Sequence, residues 1–283
     1  MRAVVVSGVQ RHGSGKTQLI LGLAKELTRL GLRVGASKPV SITSLWYDYA
    51  VLREVVREGL LTDKDTITFS RLSLGDPPVV SNPVNVVTAV PDPVRYGDIR
   101  AYLDDLESPF SLPILARVTV GGVTKYFRIH DLEDKAPDPE INAVDDLVEE
   151  LGISAREVSI TWFYSYLGSK EVGAGIAEVM HYLGRGRDIL LIESISTALL
   201  PVTALTNVID ALIVVAPGRA LLYTDEHVRA YMRGVASPSM LDTRHFVRFM
   251  KPALTAPLSH SSGGAGIKPH RRLVRAIASL VGR

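Results

Sequence analysis

Arg2-Ala3-Val4-Val5-Val6-Ser7-Gly8, followed by Val9-Gln10-Arg11-His12 and Gly13-Ser14-Gly15-Lys16-Thr17, is an apolar β-branched run entering a glycine-rich turn. The turn opens Gln18-Leu19-Ile20-Leu21-Gly22-Leu23-Ala24-Lys25-Glu26-Leu27, in which leucines recur at helical spacing. Strand, glycine turn and Lys-Thr at a helix start have the layout of a phosphate-binding P-loop. Backbone N–H groups freed by glycines, together with a helix N-terminus, make a site for phosphate oxygens. In that reading Lys16 reaches the terminal phosphates and the Thr17 hydroxyl completes the shell of a magnesium ion. The candidate nucleotide contacts are Arg11, His12, Gly13, Ser14, Gly15, Lys16, Thr17 and Gln18. Arg11 reads equally well as a phosphate contact and as a solvated loop residue. The usual pattern has a glycine six residues before the lysine; Gln10 stands there, and Gly8 comes two positions earlier.

Past the first helix, Gly31-Leu32-Arg33-Val34-Gly35-Ala36-Ser37 reads as a turn and a second strand ending at Lys38-Pro39-Val40. Strand, helix and strand make the βαβ unit of a parallel sheet. Lys38 then lies at the carboxyl end of a strand, where such sheets bind ligands. Trp46 to Val56 is helical in pattern with Asp48 near its start, and on local context Asp48 is a helix-dipole partner. Ile189-Leu190-Leu191-Ile192-Glu193 is a buried strand ending in an acid, the arrangement of a Walker-B-type strand whose carboxylate holds magnesium. Asp210 to Gly218 reads as a further parallel strand, and the pattern after Ala220 predicts a helix to about Met232.

Between these elements the signals are of other kinds. Leu74 to Tyr96 is proline-rich and reads as an ordered loop. Pro113 to Val120 and Val123 to Ile129 flank Gly121-Gly122, the signature of a tight β-hairpin inserted on the parallel sheet. Gly97 to Leu106, Ile141 to Leu151 with Gly152 as its stop, and a segment ending at Leu183 read as helices. The stretch from Val158 to Tyr166 is aromatic and β-prone. His245 to Met250 alternates as an edge strand, Ser259 to Gly266 is a polar surface loop, and Arg271 to Val281 is a basic amphipathic helix. The whole predicts an α/β fold of the P-loop NTPase type: a mostly parallel sheet, helices on both faces and an inserted β-hairpin. One domain spans 1–283, with the hairpin subdomain at about 111–135.

Composition narrows the function classes. With 283 residues of which 46% are hydrophobic, the chain has enough apolar mass for one large α/β domain. Lys and Arg total 32 against 30 Asp and Glu, a balance that does not call for nucleic acid. No segment is long and uncharged enough to span a membrane, and Val4–Val6 runs straight into the glycine turn without a signal peptide, so a cytoplasmic location is expected. There is no cysteine, which excludes disulfides, a thiolate nucleophile and cysteine metal sites.

Three separated features, the P-loop, Lys38-Pro39-Val40 and the acid at Glu193, together resemble the dethiobiotin synthetase and cobyric-acid-synthase-like branch of P-loop NTPases. In that family a strand-two Lys-Pro-Val is followed by an Asp opening a helix and by an Asn-Pro loop. Here Tyr47-Asp48-Tyr49-Ala50-Val51-Leu52 is similar to the aspartate helix, and Asn82-Pro83 to the loop. Ile192-Glu193 falls at the family's Val-Glu-Gly strand end, though Ser194-Ile195-Ser196-Thr197 replaces the glycines that come after it. The resemblance covers about half the chain. It implies a magnesium site from Thr17, Asp48 and Glu193, with Lys16 and Lys38 as catalytic cations on the transferring phosphate. It also implies transfer of the γ-phosphate of ATP to a small carboxylate or carbamate, by a ligase or kinase that forms a homodimer. GTP is the alternative nucleotide, but no Asn/Thr-Lys-x-Asp motif is present to read its base. The family's glutaminase chemistry is excluded, since its nucleophile is a cysteine. A second reading is a slow P-loop ATPase or GTPase acting as a nucleotide-dependent switch, with the Ile114–Ile129 hairpin as a partner-docking element.

Overall fold

The computed structural model describes every residue except 11–12, 73–75, 109, 236–241, 261–265 and 283. β1 (Arg2–Gly8) leads through the glycine turn into α1 (Lys16–Arg29) and then β2 (Val34–Ser37). Lys38–Pro39 carries the chain into β3 (Val40–Ser44), α2 (Leu45–Arg57), α3 (Lys64–Leu72), the single turn α4 (Pro78–Ser81) and β4 (Val84–Thr88). Next come α5 (Ile99–Glu107), β5 (Pro113–Val120), β6 (Val123–Ile129), α6 (Asp138–Leu151) and β7 (Ala155–Val158). α7 (Ile160–Leu167), α8 (Lys170–Gly184), β8 (Ile189–Glu193), β9 (Ala211–Ala216) and β10 (Arg219–Thr224) come after these. The chain closes with α9 (Asp225–Gly234), α10 (Thr243–Phe249), β11 (Leu254–His260), β12 (Ile267–Pro269) and α11 (Arg271–Ala278).

These elements form a seven-stranded sheet of order β12-β11-β10-β9-β1-β8-β2 and a five-stranded sheet of order β3-β4-β5-β6-β7. Strands β9, β1, β8 and β2 are parallel, with Val4 opposite Ala211 on one side and Leu191 on the other. Their side chains alternate between two cores. Val4, Val6, Leu191 and Ile213 pack under α1 and α11, while Ala3, Val5, Leu190 and Val214 pack under α8 and α10. Covering both faces is why these strands read as unbroken apolar runs. Each fully buried Leu or Ile in such a layer contributes about 1.5–3 kcal/mol of transfer free energy.

The second sheet is likewise covered on both faces, by α7 and α8 on one side and α2 and α6 on the other. α8 belongs to both sheets: Val172 and Ile176 pack on the second, Met180 and Leu183 on the first. Pro39, read from sequence as a strand stop, is where the chain leaves one sheet and enters the next.

The hairpin forms as read, with Gly121 at φ +59° and Gly122 at φ +75°, values that favour glycine in a two-residue turn. It is no appendage. β5 pairs antiparallel with β4, and β6 pairs parallel with β7, so the hairpin is the middle of the second sheet. Three local expectations are corrected. The proline-rich stretch contains β4, whose Val84, Val86 and Val87 are fully buried against the hairpin. Ala220 onward is not a helix: Pro217-Gly218 turns the chain back, and β10 pairs antiparallel with β9 before Asp225 opens α9. His245–Met250 is not a strand, because the Asp242 side chain accepts the Arg244 N–H as a helix cap and Phe246 is buried against Tyr223 and Tyr231. The stretch from Val158 to Tyr166, whose assignment the sequence leaves open, divides into the end of β7 and the helix α7, capped by Ser159. Among the described residues no helix is long and apolar enough to cross a membrane.

Candidate active site

The carboxyl ends of β1, β8 and β2 in the first sheet and of β3 and β4 in the second converge on a cavity of about 1190 Å³. One wall is the glycine turn. Val9 N–H donates to Val215 O across 3.1 Å, so the chain follows β9 for one residue past β1 before turning away. Gly15, at φ +88°, is the N-cap of α1; no side chain caps this helix and no acid lies in its first turn. The first backbone N–H groups of α1 therefore remain available to an anion. Gly8 has a steric reason to be glycine, since a Cβ there would lie 2.3 Å from Ser14 Oγ. The turn thus folds back onto the strand end, which accounts for a glycine two positions ahead of the usual one. Gly13, Ser14, Gly15, Lys16, Thr17 and Gln18 all border the cavity, whereas Arg11 and His12 lie outside the described residues.

Lys16 is buried, and its Nζ donates to Ser196 O at 3.0 Å and to Ser14 Oγ at 3.4 Å. Ser196, in the loop after β8, has φ +48° and is the one non-glycine residue with positive φ among those described. Its serine adopts the left-handed backbone at a place where the resembled family has glycines. Burial pulls the Lys16 pKa below the ordinary lysine value; Glu193 opposes this and Lys38 adds to it.

Thr17 Oγ1 lies 2.9 Å from Glu193 Oε2 and 3.2 Å from Asp65 Oδ2. Lys38 Nζ faces the same group from β2, donating to Asp63 at 2.6 Å and Asp65 at 3.0 Å, with Glu193 at 3.8 Å. Burial works against the charge on Lys38, but Asp63, Glu193 and Asp65 outweigh it and hold its pKa above the ordinary lysine value. For Asp63, burial would raise the pKa, yet Lys38 and the hydrogen bonds from Thr66 keep it below the usual carboxylate range. Glu193 behaves in the opposite sense. Burial pushes its carboxyl up to about 7, with Lys38 opposing and Asp65 reinforcing the shift.

The structure therefore brings together Lys16, Thr17, Lys38 and Glu193, four residues singled out in the sequence. Asp48 borders the same cavity, with its Oδ2 accepting the Ser44 N–H at 3.1 Å at the start of α2. Asp65 is the carboxylate at Thr17 instead, on the first turn of α3. Of the expected set Thr17, Asp48 and Glu193, Thr17 and Glu193 meet directly, and Asp65 is the further carboxylate within hydrogen-bond distance of Thr17. Sequence pattern does not single out Asp63 or Asp65, although Asp63 carries a local signal: its side chain caps α3 by accepting the Thr66 N–H and hydroxyl.

The donors fit magnesium. A hydroxyl has one proton to give, so Thr17 serves one carboxylate at a time and keeps lone pairs for a cation. Hydroxyl and carboxylates are hard oxygen donors, and Mg²⁺ is commonly held by one or two carboxylates plus phosphate oxygens and water. Among the described residues no group of three or more His, Cys, Asp or Glu is placed to hold a metal ion.

No protein-family profile matches the chain, and no curated protein matches it. Among solved structures, a KaiC-like protein from the hyperthermophilic archaeon Pyrococcus horikoshii aligns over 95% of this chain and 89% of its own, at 10% identity and a TM-score of 0.28. A superposition this loose assigns nothing to the chain; its function has to be read from the residues of the site.

Proposed function

We propose that this protein is a magnesium-dependent nucleotide-binding enzyme of the P-loop type that transfers the γ-phosphate of ATP to an acceptor held in the same cavity. The observation that carries this reading is the meeting of two lysines, Lys16 and Lys38, with Thr17, Asp65 and Glu193 at the carboxyl ends of parallel strands. The first turn of α1 and Lys16 receive the phosphate chain. Lys16 exchanges its contact with Ser196 O for phosphate oxygens, and Lys38 supplies a second positive charge from the opposite side. Phosphoryl transfer gathers negative charge on the equatorial oxygens, so preorganised cations placed there lower its barrier. Thr17, Glu193 and Asp65 would hold a magnesium ion, which would supply neutralising charge to the phosphates. Beyond the phosphates the cavity continues along Ile42, Ser44 and Thr88 of the second sheet and Val90 after it, room for a small acceptor. The resemblance in the Lys-Pro-Val and strand-end acid makes that acceptor a carboxylate or carbamate, and the product of transfer a mixed anhydride. A cytoplasmic location and a homodimer belong to the same proposal.

The test is ADP formation by the purified protein with ATP, magnesium and a panel of small carboxylates and amines. Acceptor-stimulated turnover that Lys38→Ala removes supports the reading; turnover unchanged in Lys38→Ala overturns the role of that lysine. One observation favours a second reading. Trp46 and Tyr47 on α2, and Ile99 and Leu103 on α5, are exposed apolar side chains on the two helices flanking the cavity. They suit a slow NTPase whose nucleotide state governs a partner contact, and hydrolysis indifferent to every acceptor would favour it.

A further inference from the structure

Arg117 lies in the middle of β5, the central strand of the second sheet, with no solvent exposure. Burial brings its pKa down to about 10, with Tyr126 and Asp63 opposing. Its hydrogen bonds all go to uncharged oxygens. Nε donates to Leu61 O at 2.8 Å, Nη1 to Thr119 Oγ1 at 2.8 Å, and Nη2 to Asn82 O at 2.5 Å and Asn82 Oδ1 at 2.9 Å. A buried guanidinium with no bonded carboxylate is costly to the fold, so what its acceptors lead to matters.

They lead to Lys38 from two directions. Asn82 Nδ2 donates to Lys38 O at 2.7 Å and Val84 O at 2.9 Å, while Lys38 N–H donates to Ser81 O at 3.0 Å. Both backbone polar groups of Lys38 are thus held by Ser81–Asn82. On the other side, Leu61 O is held by Arg117, and Thr62 Oγ1 donates to Asn82 Oδ1 at 3.2 Å. These residues immediately precede Asp63, the carboxylate 2.6 Å from Lys38 Nζ. One buried cation therefore ties down both chain segments whose side chains form the Lys38–Asp63 pair.

We propose that Arg117 and Asn82 are positioning residues that set the Lys38 ammonium against Asp63 and aim it into the phosphate cavity, and that delivering Arg117 is the hairpin's contribution to the site. This rests on the reading of Lys38 as a catalytic cation. Neither Arg117 nor Asn82 touches the cavity. Asn82 acts through the Lys38 backbone, and Arg117 acts through Asn82 and the segment before Asp63.

The decisive variant is Asn82→Asp. It keeps the side-chain volume and the acceptor oxygens, and puts a carboxylate on Arg117, but loses both donors, including the one to Lys38 O. The expected result is a kcat lower by about 10–100-fold, the scale of a misplacement of about an ångström, with the KM for ATP changed much less. A merely structural role would not produce that split between kcat and KM. Arg117→Lys, which keeps charge but not the fork, is the second variant and should show the same split. If Asn82→Asp folds and turns over like the parent while Lys38→Ala is inactive, the inference is overturned. Should both positioning variants unfold, their role is structural and the proposal fails. If Lys38→Ala itself is fully active, it is the underlying reading of Lys38 that fails, and the two results are told apart by that one control.

Discussion

Thr17 Oγ1 and Glu193 Oε2 are 2.9 Å apart, joining the first turn of the helix after the glycine loop to the end of a strand 176 residues later. The contact follows from the parallel pairing of β1 with β8, in which Val6 stands opposite Glu193. With that register, the strand ending in an acid must deliver its carboxylate beside the turn that β1 feeds.

The metal set is tested by comparing two acids. Asp65→Asn should weaken magnesium-dependent ATP binding by about 10-fold or more, a scale typical for groups supporting a metal site. Asp48→Asn should leave it within about 2-fold, because Asp48 closes the start of α2 rather than facing Thr17. Titration calorimetry with ATP in magnesium and in EDTA measures both, and the reverse order would restore Asp48 to the site.

Glu193 sets a pH dependence. With its folded pKa near 7 against an ordinary value of 4.5, the native state holds a proton through that interval that the unfolded chain has released. Stability contributed by this group is therefore greatest below about pH 4.5 and declines as pH rises toward 7. Activity runs the other way, since the ionised carboxylate is the form that binds magnesium. Turnover at limiting magnesium should rise through about pH 6–8, and Glu193→Gln should abolish that rise along with most of the activity. A flat wild-type profile over that range would contradict the assignment.

The two lysines should separate binding from transfer. Lys16→Ala is expected to lose ATP binding, since in the proposed reading its ammonium and the first turn of α1 take up the phosphates. Lys38→Ala should keep ATP binding within a few-fold and lose about 100-fold or more in turnover, the scale for removing one preorganised charge donor. Equilibrium binding of a fluorescent ATP analogue, read beside steady-state ADP release, resolves the two.

Ser196 holds a left-handed backbone that costs a non-glycine residue about 1–2 kcal/mol. Ser196→Gly should recover part of this and raise the melting temperature by a few degrees, while retaining the carbonyl that Lys16 contacts. Ser196→Val should lower it instead. Differential scanning calorimetry of the three proteins decides the matter, and a glycine variant less stable than the parent would show that the serine side chain matters more than the backbone strain.

Much of the first sheet is legible in the sequence because its signals are local. The β1 run, the glycine turn and the α1 periodicity lie within one short stretch, and a parallel strand buried on both faces is apolar throughout. Lys38 before a proline and Glu193 after an apolar strand are readable for the same reason. Where tertiary contacts outweigh local pattern, the reading fails. β4 is hidden among prolines because its edges lie at Pro83 and at the turn beyond Ala89, and only pairing with β3 and β5 makes it a strand. α10 is a helix because Phe246 meets Tyr223 and Tyr231, aromatic partners from distant elements.

By itself, then, the sequence determined a βαβ unit with a glycine-rich turn of P-loop layout, the candidate cations Lys16 and Lys38, and the acid Glu193. Periodicity, glycine placement and strand ends are properties of neighbouring residues. Only the tertiary structure decided that Asp65 and not Asp48 faces Thr17, that Asp63 holds Lys38, and that a hairpin arginine underlies the pair. Each of these is a hydrogen bond or ion pair between segments far apart in sequence. Their formation depends on how two sheets meet at Pro39, a relation that no local pattern encodes.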